Sequence, residues 1–316
     1  MFALRGIAIS CSVFFVVYSI LSVIVSLSWS RVRARIQHLS IRRIADLLFV
    51  FRMLPLALAA VVTAAFTVPS FLLLEPHSVD EPLGGIPLTL GVCGVALAVF
   101  GVGNAVRAMV RASRAISVWT DKAEPSDIVS SIPVLRTSPA VPAMTAVGIF
   151  RPRVLISRVA EFLLTNGELQ AALNHEIAHT RRRDNLKKLI LCFAWFPGMV
   201  QLELAWLEAT EMAADDAAVS NACEALDLAA ALIKLSRLRP IGPEVNLTAG
   251  IVHSPASIMN ARVARLVAWS DEVHDPVRKS HLWFSLAAVS IVALGLAADY
   301  SHLLTDIHAA TEWLVR

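Results

Sequence analysis

The sequence predicts a mainly α polytopic membrane protein: four transmembrane helices and a cytoplasmic α+β domain that contains a small β-hairpin. Three observations predict it. The 316-residue chain is 56% hydrophobic and 17% charged, with a mean hydropathy of +0.64, too apolar for an ordinary soluble globule. Four stretches free of Asp, Glu, Lys and Arg are each long enough to cross about 30 Å of hydrocarbon. Between the third and the fourth, charge and proline return, and a His-Glu-x-x-His pattern appears on a run with helical periodicity.

Gly6–Ser30 gives 25 uncharged residues between Arg5 and Arg31. A secretory signal would have a shorter apolar region and a small-residue cleavage site, so this reads as a retained helix. Arg31, Arg33, Arg35, Arg42 and Arg43 crowd the following loop, which the positive-inside rule places in the cytoplasm, with the N-terminus outside. Met53–Leu74 is the second span, 22 residues, with Arg52 expected to snorkel to the inner interface. The loop holding His77, Asp80 and Glu81 has no Lys or Arg, as expected outside. Leu83–Val106, 24 residues, is the third span, and Arg107, Arg111 and Arg114 return the chain to the cytoplasm. Residues 1–114 are thus a three-span unit and 115–279 a cytoplasmic domain; 280–316 hold a fourth span, Ser280–Ala298, and a short outer tail. This topology puts the protein in the inner (plasma) membrane with both termini outside.

Within the cytoplasmic domain, residues 115–143 carry Pro125, Pro133, Pro139 and Pro142 and read as a linker. Met144–Ile149 and Arg153–Ser157 are short apolar strands around Phe150-Arg151-Pro152, a hairpin pattern. Leu189–Leu202 is too short to span and reads as a core or interfacial segment, and Leu226–Leu238 has amphipathic helical spacing. A net charge of +3 argues for no nucleic-acid partner. Cys11, Cys93, Cys192 and Cys223 lie far apart without metal-ligand spacing and read as small hydrophobes.

The chemistry concentrates at His175-Glu176-Ile177-Ala178-His179. Two histidines four apart share one helix face and can offer imidazole nitrogens to one Zn2+ ion. Glu176 stands where a general base acts on the metal's water. Thr165-Asn166-Gly167-Glu168 supplies a capping box to start the helix. Downstream, Glu211 offers a third ligand, and Asp215, one turn later, can accept the outer N–H of a liganding histidine. The developing oxyanion needs another donor; the only tyrosines, Tyr18 and Tyr300, lie in or next to spans, which leaves His253, Asn260 and Arg262 as candidates.

These pieces, with Arg183-Asp184-Asn185-Leu186, Trp195-Phe196-x-Gly198 and the Gly148–Ile156 segment, resemble the M56 metallopeptidase family, typified by bacterial β-lactam sensor-transducers. The resemblance covers roughly residues 85 to 270 and implies a zincin-like metallopeptidase domain. It further implies a protein or peptide substrate, such as a transcriptional repressor cleaved in signalling. An edge strand beside the zinc, here Val147, Gly148 and Ile149, would hold the substrate backbone. The tail Ser301–Arg316 departs from those proteins, which continue into a large extracellular sensor domain. Two alternatives stand beside this reading. One is the M48 family of quality-control peptidases, which shares the Glu-x-x-x-Asp element; the other is a non-catalytic signalling scaffold stapled by zinc.

Overall fold

The computed structural model describes residues 2–75, 84–137, 143–238, 249–250, 256–269 and 299–315. Its first part is three long helices. These are α1 (Phe2–Ile36), α2 (Ile41–Val62) prolonged by a π-helical turn Thr63–Thr67 and α3 (Val68–Leu74), and α4 (Gly85–Thr120). All three are long and apolar enough to cross a membrane. α1 and α4 pack closely because Gly91 and Gly94 present bare backbone: a Cβ at either would collide with Ala8 or Cys11. The π turn follows from Pro69, which has no N–H to give the Ala65 carbonyl four residues earlier. The Tyr300 hydroxyl donates to that carbonyl instead, at 2.7 Å.

All three helices outgrow their apolar stretches, α1 running past Ser30 to Ile36, α2 beginning at Ile41, ahead of Met53, and α4 running past Val106 to Thr120. Arg52 therefore does not snorkel. Its side chain is fully buried, donating to the Ala194 carbonyl and, at 2.9 Å, to Glu203. It meets them because the connection between α7 (Asp184–Phe193) and α8 (Val200–Ala218) reaches up between the long helices. The Tyr18 hydroxyl donates to the Ala194 carbonyl at 2.7 Å and the Ser26 hydroxyl to the Gly198 carbonyl at 3.0 Å. Gly101 lies so close to the Phe193 carbonyl that no Cβ would fit there. Leu189–Leu202 is thus the end of α7, this turn and the start of α8.

The rest is α+β. A five-stranded sheet has the order β1-β2-β4-β3-β5: β1 (Glu124–Pro125), β2 (Val134–Thr137), β3 (Met144–Val147), β4 (Arg153–Ser157) and β5 (Ala249–Gly250). The expected hairpin is β3–β4, antiparallel with Val147 opposite Arg153, turning through Gly148 at φ 89°. The expected linker instead holds the end of α4, β1 and β2, with β2 parallel to β4. Alternate β4 residues serve two cores. Val154 and Ile156 face α6 (Asn166–Arg181) and α9 (Ala222–Ser236), while Leu155 joins Val147 against Ala112 and Trp119 of α4. α5 (Arg158–Leu163) follows β4, and α10 (Ala256–Val267) packs on α8 and α9.

A last helix, α11 (Tyr300–Val315), lies beside α3 and runs the same way: the Ser70 hydroxyl donates to the Leu304 carbonyl at 3.1 Å, and His308 is 3.9 Å from Glu75. The tail expected outside thus begins beside Ala65, short of the end of the second long helix. The expected fourth span, Ser280–Ala298, lies outside the described residues.

Candidate metal centre

α6 starts where the sequence places it. The Glu168 amide donates to Thr165 Oγ1 at 3.4 Å and the Thr165 amide to the Glu168 carboxylate at 2.8 Å, a complete capping box. Lys234 of α9 binds the same carboxylate at 2.6 Å. Ala172, Leu173 and Ile177 seat the helix in the core, which turns His175, Glu176 and His179 toward α8 and β3, all three buried.

The two Nε2 atoms lie 3.1 Å apart. Glu211 on α8 brings Oε2 to 3.6 Å from His175 Nε2 and Oε1 to 3.5 Å from His179 Nε2. Tetrahedral bonds of about 2.0–2.1 Å place neighbouring ligand atoms about 3.3 Å apart, so this trio has the spacing of a zinc site. Among the described residues it is also the group of His, Cys, Asp and Glu side chains fit to hold a metal ion. The outer nitrogens face carboxylates: Asp215 Oδ1 is 2.9 Å from His175 Nδ1, and Asp184 Oδ2 is 2.8 Å from His179 Nδ1. Each histidine is thereby turned so that Nε2 points at the common centre.

Arg262 of α10 closes the cluster. It holds Asp215 with two hydrogen bonds of 2.7 Å and Glu211 with one of 3.0 Å, and its side chain is fully buried. Burial works against every charge here, and the neighbours overrule it. The Arg262 charge and hydrogen bonds hold the Asp215 carboxyl down at about 2. Glu211 is held well below the usual carboxylate range by His179 and Arg262. The carboxylates push His175 up, and His179 up to about 10. The centre is therefore built to hold positive charge between its imidazoles and Glu211. Glu176 differs: burial raises its carboxyl above the usual range, suiting a group that takes up a proton. One oxygen accepts from the Ala146 amide at 2.6 Å; the other, Oε1, is buried with no hydrogen-bond partner among the described residues.

The structure brings together His175, Glu176, His179, Glu211, Asp215 and Arg262. Asn260, two residues before Arg262, is exposed, and His253 lies outside the described residues. Val147 ends β3, with Gly148 and Ile149 in the turn after it. The edge expected to be open is partly taken: β5 pairs Gly250 with Thr145 and Ala249 with Ala146. Sequence reasoning missed two residues. Asp184 orients His179, and Asn185 donates to the Ala146 and Gly148 carbonyls at 3.2 and 3.3 Å, fixing β3 near α6. The signal was present as Arg183-Asp184-Asn185, but its use depends on Arg183 adopting φ 55° to restart the chain as α7.

Three helices long and apolar enough to cross a membrane, together with a histidine–glutamate group that could hold a metal ion, fit the class of membrane metallopeptidases. The family model described as BlaR1 peptidase M56 matches residues 87–266, which is 180 of 316 residues, and the chain belongs to that family. This favours the M56 over the M48 resemblance. A search of curated proteins found no match.

Proposed function

We propose that this chain is an integral-membrane zinc endopeptidase with a cytoplasmic-facing active site, which cleaves a regulatory protein such as a transcriptional repressor in signalling. The observation that carries the reading is the pairing of a zinc-spaced trio with the buried Oε1 of the neighbouring Glu176, which has no hydrogen-bond partner among the described residues. His175, His179 and Glu211 would hold the ion, which when bound polarises a peptide carbonyl and acidifies water. Glu176 Oε1 takes the proton of the attacking water and passes it to the leaving amine, while the Ala146 amide holds the other oxygen still. Asp215 and Asp184 keep the imidazoles in the liganding orientation. Arg262 balances the carboxylates and, with Nη2 3.5 Å from His175 Nε2, is the candidate oxyanion stabiliser that lies inside the site among the described residues. Val147, the end of β3, lies past the residues that β5 pairs, with Gly148 and Ile149 in the turn beyond it, and a substrate backbone would pair along this edge.

Glu176→Gln keeps the shape and removes the base. Cells carrying the wild type should contain a new protein N-terminus that is absent with Glu176→Gln, and purified protein of both kinds should bind one zinc. A phenotype that survives the substitution would mean that the metal only staples the fold.

A further inference from the structure

Asp184 gives one oxygen to the centre and keeps the other among shared charges. Oδ2 faces His179 Nδ1 at 2.8 Å, while Oδ1 is buried with no hydrogen-bond partner among the described residues. Two cations stand just outside hydrogen-bond reach of Oδ1, Arg182 Nε at 3.7 Å and Lys187 Nζ at 3.9 Å. Both turn instead to a carboxylate of α2. Asp46 Oδ1 accepts from Arg182 Nη2 at 3.2 Å and from Lys187 Nζ at 3.4 Å. Lys187 also lies over the ring of Phe49 on the same helix, 5.6 Å from its centroid.

α2 reaches the trio a second way. Arg52, six residues beyond Asp46 or about 9 Å, binds Glu203, which precedes Glu211 on α8 by eight residues, about 12 Å. Ala45 and Leu48 of α2 share one core with Trp206 and Ala209 of α8. One long helix is thus fastened both to the helix that carries Glu211 and to the cations beside the carboxylate that holds His179.

We propose that α2 sets the strength of the metal centre, with Asp46 as a positioning residue that draws Arg182 and Lys187 to itself and leaves the Asp184 carboxylate to His179. The proposal rests on the peptidase reading above and adds how its centre is regulated. Without Asp46 the two cations have Asp184 as their remaining carboxylate and close onto Oδ1. A cation at hydrogen-bond distance draws carboxylate charge away from the histidine N–H, so His179 is held less firmly and Nε2 becomes a weaker ligand. A shift of α2 that carries Asp46 away acts in the same direction. Any event that moves the long helices then has a contiguous route to the metal.

The test measures zinc affinity of the purified full chain by competition with a chromophoric chelator, which needs no substrate. Asp46→Ala and Asp46→Asn should each weaken binding about 3–10-fold, less than the 10–100-fold expected for a carboxylate that touches the ligand itself. Asp46→Glu should recover most of that loss. The loss should shrink in about 1 M salt, since the Asp46 side chain is half exposed and its pairs are screened. With Asp184→Asn already in place, Asp46→Asn should add less than about two-fold, because the group that relays its effect is gone. Wild-type affinity in Asp46→Asn, or the same further loss on top of Asp184→Asn, would overturn the proposal and leave the peptidase reading standing. Wild-type protein that binds no stoichiometric zinc would remove both.

Discussion

Arg262 and Arg52 are both arginines with fully buried side chains, and both bind carboxylates of α8, yet they are used differently. Arg262 is enclosed by two carboxylates, Asp215 and Glu211, with side-chain exposures of 1% and 12%, one holding a histidine and the other facing both histidines. Arg52 binds one carboxylate, Glu203, 30% exposed, together with a backbone carbonyl, and leaves Nη1 without a hydrogen-bond partner among the described residues. The first is a closed charge balance; the second is a tether from a membrane helix to the turn between α7 and α8. The difference teaches that a buried charge is worth what its partners can do without it. Asp215 and Glu211 have nowhere to go, whereas Glu203 can turn toward solvent.

The largest effect should come from Arg262→Met. Two carboxylates are then left buried without their cation, which costs about 3–5 kcal/mol when one partner of a buried pair is removed. The expected outcome is loss of the thermal transition or of stoichiometric zinc, read by calorimetry and metal analysis. Arg262→Lys should recover only part, because an ammonium cannot grip Asp215 with two parallel bonds and still reach Glu211. Full stability with Arg262→Met would break the comparison.

Arg52→Met should cost less, about 1–3 kcal/mol, the penalty of stranding the Ala194 carbonyl and a carboxylate that can partly rehydrate. The double change Arg52→Met with Glu203→Gln should cost less than the single one, since it removes both charges. A double-mutant cycle by thermal unfolding measures this, and purely additive losses would show that the tether carries no coupling. Next comes Asp184→Asn, which leaves the Arg262, Asp215 and Glu211 cluster in place but removes the carboxylate that orients His179. Zinc affinity should fall 10–100-fold, by competition with a chelator, with the fold unchanged.

How much of this was legible follows from sequence separation. The capping box at Thr165 and Glu168 and the one-turn step from Glu211 to Asp215 are local, so helical periodicity alone places them. Arg262 is legible in the sequence only as a candidate oxyanion donor, since its partners Asp215 and Glu211 are 47 and 51 residues away and its role as charge balance is invisible there. Arg52 was misread for the same reason. A lone arginine at the end of an apolar stretch snorkels when lipid surrounds it, and nothing local reveals Glu203, 151 residues on. The hairpin was readable, while the parallel pairing of β2 with β4 across residues read as a linker was not.

The smallest effect tests the local end of that scale. Thr165→Ala removes one half of the capping box and should cost about 1 kcal/mol, since Glu168 and Lys234 still hold the first turn of α6. Burial pushes the Glu168 carboxyl up, but Lys234 and the Thr165 amide outweigh it and hold it below the usual range. A carboxyl whose folded value is lowered stabilises the fold above its unfolded value, and that contribution is lost as pH falls through the folded one. The loss caused by Glu168→Gln should therefore be full at pH 7 and shrink as pH drops below the ordinary carboxylate range of about 4.3. Thermal unfolding of wild type and variant across that range reads it directly. A loss that stays constant with pH would mean that Glu168 acts through shape alone, and the start of α6 would then owe nothing to charge.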